Sequence, residues 1–595
     1  MNDDATNPLE PRDKLDTIAV NGTEDVVLGW GAIHWRLHED NVRRLRRRIF
    51  KAAQEQDLAK VRSLQKMMLR SWSNTLLSVR QVTQRNTGRV TAGIDGEVAL
   101  TPSARMALAV RVHRSIGSWD PMPVKRVYVP KANGKLRGLG IPVIMDRCHQ
   151  NRAKNALEPE WEARFEPRSY GFRPGRSCQD AIEAIYDTCK GRGATRVWTL
   201  DADLAAAFDK LDHHHLMSSI GTFPGKGMIR AWLKAGVFEP DKGFAPTEDG
   251  SPQGGVISPL LLNVALHGLE EAAGVRYDTG ARAGAVKRTS PAVIRYADDL
   301  VVCCHTRQQA EQVKAQLAEW LAPRGLAFNE DKTRIVSLQA GYDFLGFNVR
   351  QYRNGKLLIK PSKAAVRRVK RKLAEQMRSL RGQNVSAVLA AICPITRGWA
   401  SFYRSVVSKR TFSTLDDYLW KLTYKWACRS HQNKPKYWVT KRYFGQFNPF
   451  RPNMWVLGDV TSGAYLPPMV WTPIVRHRKV IGSASLDDPA LTDYWKQRRG
   501  RNQPPLDRRT LRLLKAQHGR CVTCGDLLLH ADREPHTPEE WQQWHRTTRK
   551  AITRQHIIAC GQDGTPDETR LIHAYCQHRI NTTGADSKEP ASSRT

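Results

Sequence analysis

No run of about eighteen apolar residues occurs, the length a membrane-spanning helix needs. The start, Met1 to Asp16, is polar and acidic and lacks the apolar core of a secretory signal. These absences predict a cytoplasmic chain with no membrane partner. Cysteine is sparse and odd in number, eleven scattered along 595 residues. That argues against a disulfide framework and for reduced thiols, with room for a metal site. Internal repeats are missing too, which excludes a solenoid. Acid is in deficit: 58 Asp and Glu face 94 Lys and Arg, a formal net charge of +36. So large a cationic excess repels itself unless a polyanion lies against it, and nucleic acid is the usual one. The length predicts roughly three to five domains, and 41% hydrophobic residues can build several cores.

Residues Met1 to about Leu28 show little periodicity and read as a loose tail. The run Arg43-Arg44-Leu45-Arg46-Arg47-Arg48 then opens a helical stretch with Ile49, Ala52, Leu58, Val61, Leu64, Met67 and Met68 at three- and four-residue steps. Between Val124 and Asn348, short β-branched runs alternate with helical windows, the pattern of a mixed α+β catalytic domain. A second basic helix runs from Ser362 to Leu380, with Val366, Val369, Leu373, Met377 and Leu380 on one stripe among Arg367, Arg368, Lys370, Arg371 and Lys372. It opens a helical region in which Trp399, Phe402 and Tyr403 are expected in the core. Pro and Gly become frequent from Phe447 to Pro505, where Arg476-His477-Arg478-Lys479 stands out. A compact unit with Cys521-Val522-Thr523-Cys524 begins near Leu506, and from Asn581 the chain is again a polar tail.

The chemistry is expected from carboxylates. Ala292 to Tyr296 and Leu300 to Cys303 are β-type runs flanking Ala297-Asp298-Asp299, a hairpin that presents two adjacent carboxylates at the end of a sheet. Like charges crowded at a tip call for a cation, and hard oxygens suit Mg²⁺. A second run, Arg196 to Leu204, puts Asp201 and Asp203 on one face by alternation. Carboxylates from the two strand ends could hold a pair of metals of the kind used in phosphoryl transfer.

Tyr296-Ala297-Asp298-Asp299, preceded by Ser251-Pro252-Gln253-Gly254-Gly255-Val256-Ile257-Ser258-Pro259 and by Asp201 to Asp209, resembles the reverse transcriptases encoded by group II introns. The resemblance covers almost the whole chain. It implies a right-hand polymerase with fingers and palm, a helical thumb and maturase domain, and a small zinc-type ββα domain at the C-terminus. On that pattern Asp203, Asp298 and Asp299 are catalytic and hold two Mg²⁺ ions, and Phe208 lies beneath the sugar of the incoming dNTP. Lys131 and Arg137, in Tyr128 to Pro142, would reach its triphosphate; Gln253 would line the nucleotide and template pocket. Lys332 and Phe344-Leu345-Gly346-Phe347 resemble later palm motifs, the latter gripping the primer end. Ala92-Gly93-Ile94-Asp95-Gly96 is similar to the turn of the N-terminal extension, and Arg397-Gly398-Trp399 to the maturase region that binds intron RNA. His213-His214-His215 follows a helix-capping Asp212 and is not read as a metal site.

The C-terminal unit resembles an H-N-H endonuclease domain. Cys521, Cys524 and Cys576 are its zinc candidates, with Cys560 a further one, and His556, Glu568 and His573 its endonuclease candidates. The pattern departs from the family at Gln555, at Glu568 where Asn belongs, and at Gln577 where His belongs. Active nicking, a zinc-stabilised DNA-binding remnant and an inactive, partly folded domain all stay open.

The expected organisation is a tail (1–28), a helical N-terminal extension (29–115), fingers and palm (116–350), thumb and maturase (351–445), a DNA-binding region (446–505), the H-N-H-like domain (506–580) and a tail (581–595). Intron RNA, target DNA and dNTPs are the expected partners. The basic residues are expected to share the nucleic acids among them. Arg43, Arg44, Arg46, Arg47, Arg48, Arg367, Arg368, Lys370 and Arg371 would hold RNA, Lys332 nucleic acid at the palm, and Arg476, Arg478 and Lys479 DNA. The rival readings are a maturase without polymerase function and a reverse transcriptase of a defence or diversity element. The family's distribution adds the bacterial cytoplasm or nucleoid as the expected place.

Overall fold

The computed structural model describes residues 29–130, 136–191, 193–251, 254–279, 284–501, 506, 508–523, 528–529, 535, 537–557, 568–574 and 576–577. Both expected tails, with Lys131, Gln253, Cys524 and Cys560, lie outside the described residues. Strands in chain order are β1 (Val124–Pro130), β2 (Leu136–Ile141), β3 (Trp198–Asp203), β4 (Val237–Glu239), β5 (Gly243–Ala245), β6 (Ala292–Tyr296), β7 (Asp299–Cys304), β8 (Arg334–Ser337), β9 (Tyr342–Phe344), β10 (Phe347–Gln351) and β11 (Leu357–Pro361). Contacts divide the chain into two units, Met1–Arg164 with Leu216–Leu261 and Phe165–His215 with Leu262–Thr595.

In the first unit the basic stretch forms two helices. Helix α1 (Trp35–Gln54) buries Val42, Leu45, Ile49, Phe50, Ala52 and Ala53 at helical spacing. Gln56, at φ +58°, ends it, and Asp57 caps α2 (Leu58–Arg70) by accepting from the Lys60 amide at 3.0 Å. The single stripe expected from Ile49 to Met68 is therefore broken, and Leu58, at the start of α2, is exposed. Both helices lean on α3 (Ile144–Glu162), which is buried along nearly its whole length. Asp146 on α3 accepts from the indoles of Trp119 at 2.8 Å and Trp232 at 3.0 Å. Arg147 reaches the carbonyls of Pro142, Gly88 and Thr91 at 2.5–3.1 Å and so holds the loop before the Gly93 turn. That glycine is required, because a Cβ would stand 2.6 Å from the Val143 Cα. A sheet of order β2-β1-β4-β5 completes the unit, with β1 and β2 antiparallel.

The second unit is built on an antiparallel sheet of order β6-β7-β3-β8. Helix α4 (Cys178–Cys189) contributes Cys178, Ala181, Ile182, Ile185 and Cys189 to a core shared with Ile294, Val301 and Cys303 of the sheet. A smaller sheet, β11-β10-β9, leads into α5 (Lys363–Ser379), α6 (Val385–Tyr403) and α7 (Lys409–Ser430). Helix α5 buries Ala365, Val369, Leu373 and Met377; Ala365, not Val366, starts the stripe. Trp399, Phe402 and Tyr403 are core residues as expected, with Phe347 stacked on Phe402 at 5.3 Å. Helix α6 is apolar and long enough to cross a membrane, and 67% of its most apolar window is buried inside the fold. Helix α8 (Pro538–Ala551) packs on it so closely that a Cβ on Gly398 would meet the Gln542 amide nitrogen at 2.5 Å. Among the described residues the cysteines form no disulfide.

Candidate active site and nucleic-acid interface

Strand pairing brings the carboxylates together. In the antiparallel register of β3 and β7, Asp203 stands opposite Asp299, and Tyr296 pairs with Asp299 across the β6–β7 hairpin. The turn is thus Ala297-Asp298, with Ala297 at φ +59° and Asp299 already in β7. Alternation puts Asp201 on the same face as Asp203, between Val301 and Arg334. Burial pushes the Asp299 carboxyl up to about 8, and Asp298, Asp203 and Asp201 push the same way. Burial also lifts Asp201 to about 6 against the opposing pull of Arg334. Lys332 donates to Asp203 Oδ2 from an exposed position at the edge of the carboxylate group. The Asn329 amide donates to the Asp203 carbonyl at 2.8 Å and fixes the loop that carries this lysine.

Hard oxygen donors crowded at two strand ends, one of them forced towards its neutral form, are the environment a divalent cation relieves. Asp203, Asp298 and Asp299 therefore fit a divalent metal such as Mg²⁺. Phe208, nearly buried, meets the half-exposed Phe172 edge to face at 6.3 Å.

In the other unit, Arg137 lies on β2 opposite Val129. Gly254, at φ +131°, lies so close to β2 that a Cβ would stand 2.5 Å from the Gly140 carbonyl oxygen. The Val256 amide donates to Gln150 Oε1 at 2.8 Å and anchors the segment after Gln253.

The Phe344-Leu345-Gly346-Phe347 motif is a tight β9–β10 turn with Leu345 at φ +49° and Gly346 at φ +82°. Tyr403 donates from its hydroxyl to the Gly346 carbonyl at 3.1 Å, tying the turn to α6. A cavity of about 530 Å³ lies beside it, lined by Arg368, Arg371 and Lys372 of α5 and by Glu539 and Gln542 of α8.

The basic runs divide differently from the expectation. Arg43 and Arg44 are exposed, whereas Arg46 turns inward to Glu158 at 2.9 Å and is a structural ion pair. Arg367, Arg368 and Arg371 are exposed, and Lys370 stacks over Tyr418 at 5.1 Å. Arg476 and Arg478 face solvent while the alternate residues face the fold: His477 meets Asp180 at 3.0 Å and Lys479 meets Asp187 at 2.7 Å. Lys479 is therefore paired within the protein, contrary to its assignment to DNA. Asp180, which sequence reasoning missed, is the anchor of this segment; it also accepts from the Val480 amide at 2.7 Å and from Arg498 at 3.0 Å. Burial alone would raise it, but His477, Arg498 and Ser177 hold it down at about 2.

At the C-terminus, Cys521, His573 and Cys576 are buried with their ligand atoms within 4.8 Å of one another. His573 thus stands with the thiols and not with the other endonuclease candidates. Strand β12 (Ile552–Ile557) pairs with β13 (Glu568–His573) so that His573 is opposite Ile552, while His556 is opposite Thr569 and Glu568 opposite Ile557 at the other end. Four residues along a strand is about 13 Å. The backbone register thus sets His573 at one end of the hairpin and the His556 and Glu568 positions towards the other. The His213 run behaves as expected, Asp212 capping the helix by accepting from the His215 amide at 2.5 Å.

Comparison with known proteins fits this geometry. Residues 129–349 match the reverse transcriptase (RNA-dependent DNA polymerase) family, 30–112 the N-terminal domain of reverse transcriptase, and 366–444 the group II intron maturase-specific domain. The chain is 35% identical over 301 residues to Protein YkfC of Escherichia coli K12, covering 46% of this chain and 79% of that one. It is 36% identical over 191 residues to the group II intron-encoded protein LtrA of Lactococcus lactis, covering 31% of each. Maturase-like protein 1 of Euglena gracilis is 26% identical over 385 residues, covering 62% of this chain and 76% of the relative. The chain belongs to the reverse transcriptases of group II introns that carry a maturase-specific domain, and it is an RNA-directed DNA polymerase.

Proposed function

We propose that Asp203, Asp298 and Asp299 form the polymerase centre of this chain and hold its Mg²⁺, and that the enzyme copies intron RNA from a primer end at a DNA target. The chain is an RNA-directed DNA polymerase of a group II intron that promotes splicing and mobility of that intron. The observation that carries the site assignment is the register that puts Asp203 opposite Asp299, with Asp298 in the adjoining turn.

When bound, the divalent ions polarise the α-phosphate and make the primer 3′ hydroxyl a better nucleophile. The protein's share is positioning. Asp203 and Asp299 orient from rigid strand ends, and Phe208 with Phe172 makes the apolar floor under the nucleotide sugar. Lys332 neutralises Asp203 when no substrate is present and is released to a phosphate during synthesis. Lys131, Arg137 and Gln253 take the triphosphate and the template-side pocket. The Leu345-Gly346 turn, tied to Tyr403, steadies the primer end. RNA is held by Arg43, Arg44, Arg367, Arg368 and Arg371; Arg476 and Arg478 take target DNA.

The polymerase fold extends over about 116–350, the thumb and maturase region over 351–445, and the C-terminal unit over 506–580. In that last unit Cys521, His573 and Cys576, joined by Cys524, would hold Zn²⁺, since two buried thiols and an imidazole are a soft tetrahedral donor set. His573 is then a ligand and not an endonuclease base. A zinc-stabilised DNA-binding unit fits this better than a nicking enzyme.

Asp203→Ala tests the centre. Primer extension on an RNA template should fall on the order of 10³-fold, as several kcal/mol of charge stabilisation is lost, while splicing of the intron RNA in the same preparation should persist. Extension at the wild-type rate would remove Asp203 from the centre. Loss of both activities would mean that the fold had failed.

A further inference from the structure

Ala297, at the tip of the catalytic hairpin, is held in left-handed backbone space at φ +59°, a conformation disfavoured for a residue with a Cβ. The neighbouring residues show what holds it there. Arg295, two residues earlier on β6, folds its guanidinium back under the turn: Nη1 donates to the Ala297 carbonyl at 3.2 Å and to Asn263 Oδ1 at 2.9 Å. Asn263 donates through Nδ2 to the Gly171 carbonyl at 2.9 Å. Gly171 lies flat against the turn, where a Cβ would stand 2.2 Å from the Ala297 nitrogen. Backbone bonds close the frame, from the Tyr170 amide to the Arg295 carbonyl at 2.9 Å and from the Arg295 amide to the Arg168 carbonyl at 3.1 Å.

Arg295 is an expensive residue to keep here. It is 2% exposed, and its Nη2 has no hydrogen-bond partner. Its Nη1 contacts are neutral acceptors, while Glu166, Glu270 and Asp298 act on it through space. A guanidinium taken out of water without a direct carboxylate partner costs several kcal/mol, and an apolar side chain of similar volume would fill the space more cheaply. What only the guanidinium supplies is a fixed donor to the Ala297 carbonyl. That oxygen shares a peptide plane with the Asp298 amide, so holding it sets the plane from which the Asp298 side chain departs.

We propose that Arg295, with Asn263 and Gly171, is the positioning clamp of the catalytic turn: it fixes the Ala297–Asp298 peptide and through it aims the Asp298 carboxylate. The clamp rests on the assignment of Asp298 to the polymerase centre. Arg295 is buried beneath the turn, where its Nη1 donates to protein oxygens, so the clamp predicts an effect on the chemical step and not on binding.

The test measures primer extension on an RNA template, with kcat and the dNTP KM determined separately, together with the Kd of primer–template from fluorescence anisotropy. Arg295→Gln should lower kcat about 10- to 100-fold, the effect of misplacing a reacting group by the order of an ångström. The dNTP KM and the primer–template Kd should stay within about twofold, the signature of an interaction used in the transition state alone. Asn263→Asp keeps the acceptor for Arg295 while losing the donor to the Gly171 carbonyl, and should retain more of kcat than Asn263→Leu, which removes both. Where Arg295→Gln does not fold, the Asn263 pair carries the comparison. An unchanged kcat in Arg295→Gln overturns the clamp, as does equal loss in the two Asn263 variants, or a fall in kcat matched by a fall in binding. Wild-type protein that fails to extend a primer in this assay would sink the polymerase reading instead, so the two failures are told apart.

Discussion

Asp299→Asn should make the protein inactive and more stable together. With its carboxyl at about 8 instead of the usual 3.8, Asp299 takes up a proton when the metal-free chain folds at pH 7. At roughly 1.4 kcal/mol per pH unit, that uptake costs about 4 kcal/mol near neutrality. The sign follows from the raised value: the group costs nothing below its unfolded value, and stability is then lost progressively as pH rises towards 8. Asparagine has nearly the shape of the protonated acid and removes this loss. Urea unfolding in the presence of a chelator should therefore show Asp299→Asn nearly as stable as wild type at pH 4, and more stable by up to about 5 kcal/mol at pH 8. Adding Mg²⁺ at pH 8 should narrow the gap, because a cation that binds the folded carboxylates stabilises wild type by mass action. Primer extension should be lost in the variant throughout. A variant equal to or weaker than wild type at pH 8 in chelator would refute the account, since the crowding of Asp299 by burial, Asp298 and Asp203 would then carry no cost.

Other perturbations separate structural from functional charge. Asp180→Ala should cost about 3–5 kcal/mol in urea unfolding, because it leaves His477 and Arg498 facing a buried vacancy, whereas Asp187→Ala, whose partner Lys479 is half exposed, should cost no more than about 1 kcal/mol. Burial lifts Glu270 to about 7, with the Tyr277 hydroxyl bonded to it; wild-type stability should consequently fall as pH rises from about 4.5 to 7, and the Glu270→Gln difference curve should be flat outside that window. Gly398→Leu should push α8 off α6, costing about 1–3 kcal/mol as overpacking does, with faster hydrogen exchange along Pro538–Ala551 and unchanged exchange in β3 and β7.

The aspartates are legible in the sequence because each sits in a run whose alternation can be read directly, and a strand end with a tight turn leaves few directions for a carboxylate. The arginines are less so, although the helix period holds one clue. Arg46 is four residues after Val42 and three before Ile49, on the edge of the buried stripe of α1, so helical geometry alone aims it inward towards a partner such as Glu158. The same holds for Arg476 to Lys479, where an extended chain sends alternate residues to opposite sides and only Arg476 and Arg478 reach solvent. The closeness of His573 to Cys521 and Cys576 was hidden for a different reason: counting residues between motif positions cannot reveal the register of a hairpin, and register decides which side chains meet. Arg295 shows the converse. The first four residues of β6, Ala292 to Arg295, are all buried, and a charged residue inside such a strand must serve whatever its donors reach. An arginine in a basic run is ambiguous between phosphate and solvent, whereas an arginine among Val293, Ile294 and Tyr296 has neither to turn to. Its position beside the acidic turn therefore carries more information about mechanism than any of the five arginines between Arg43 and Arg48.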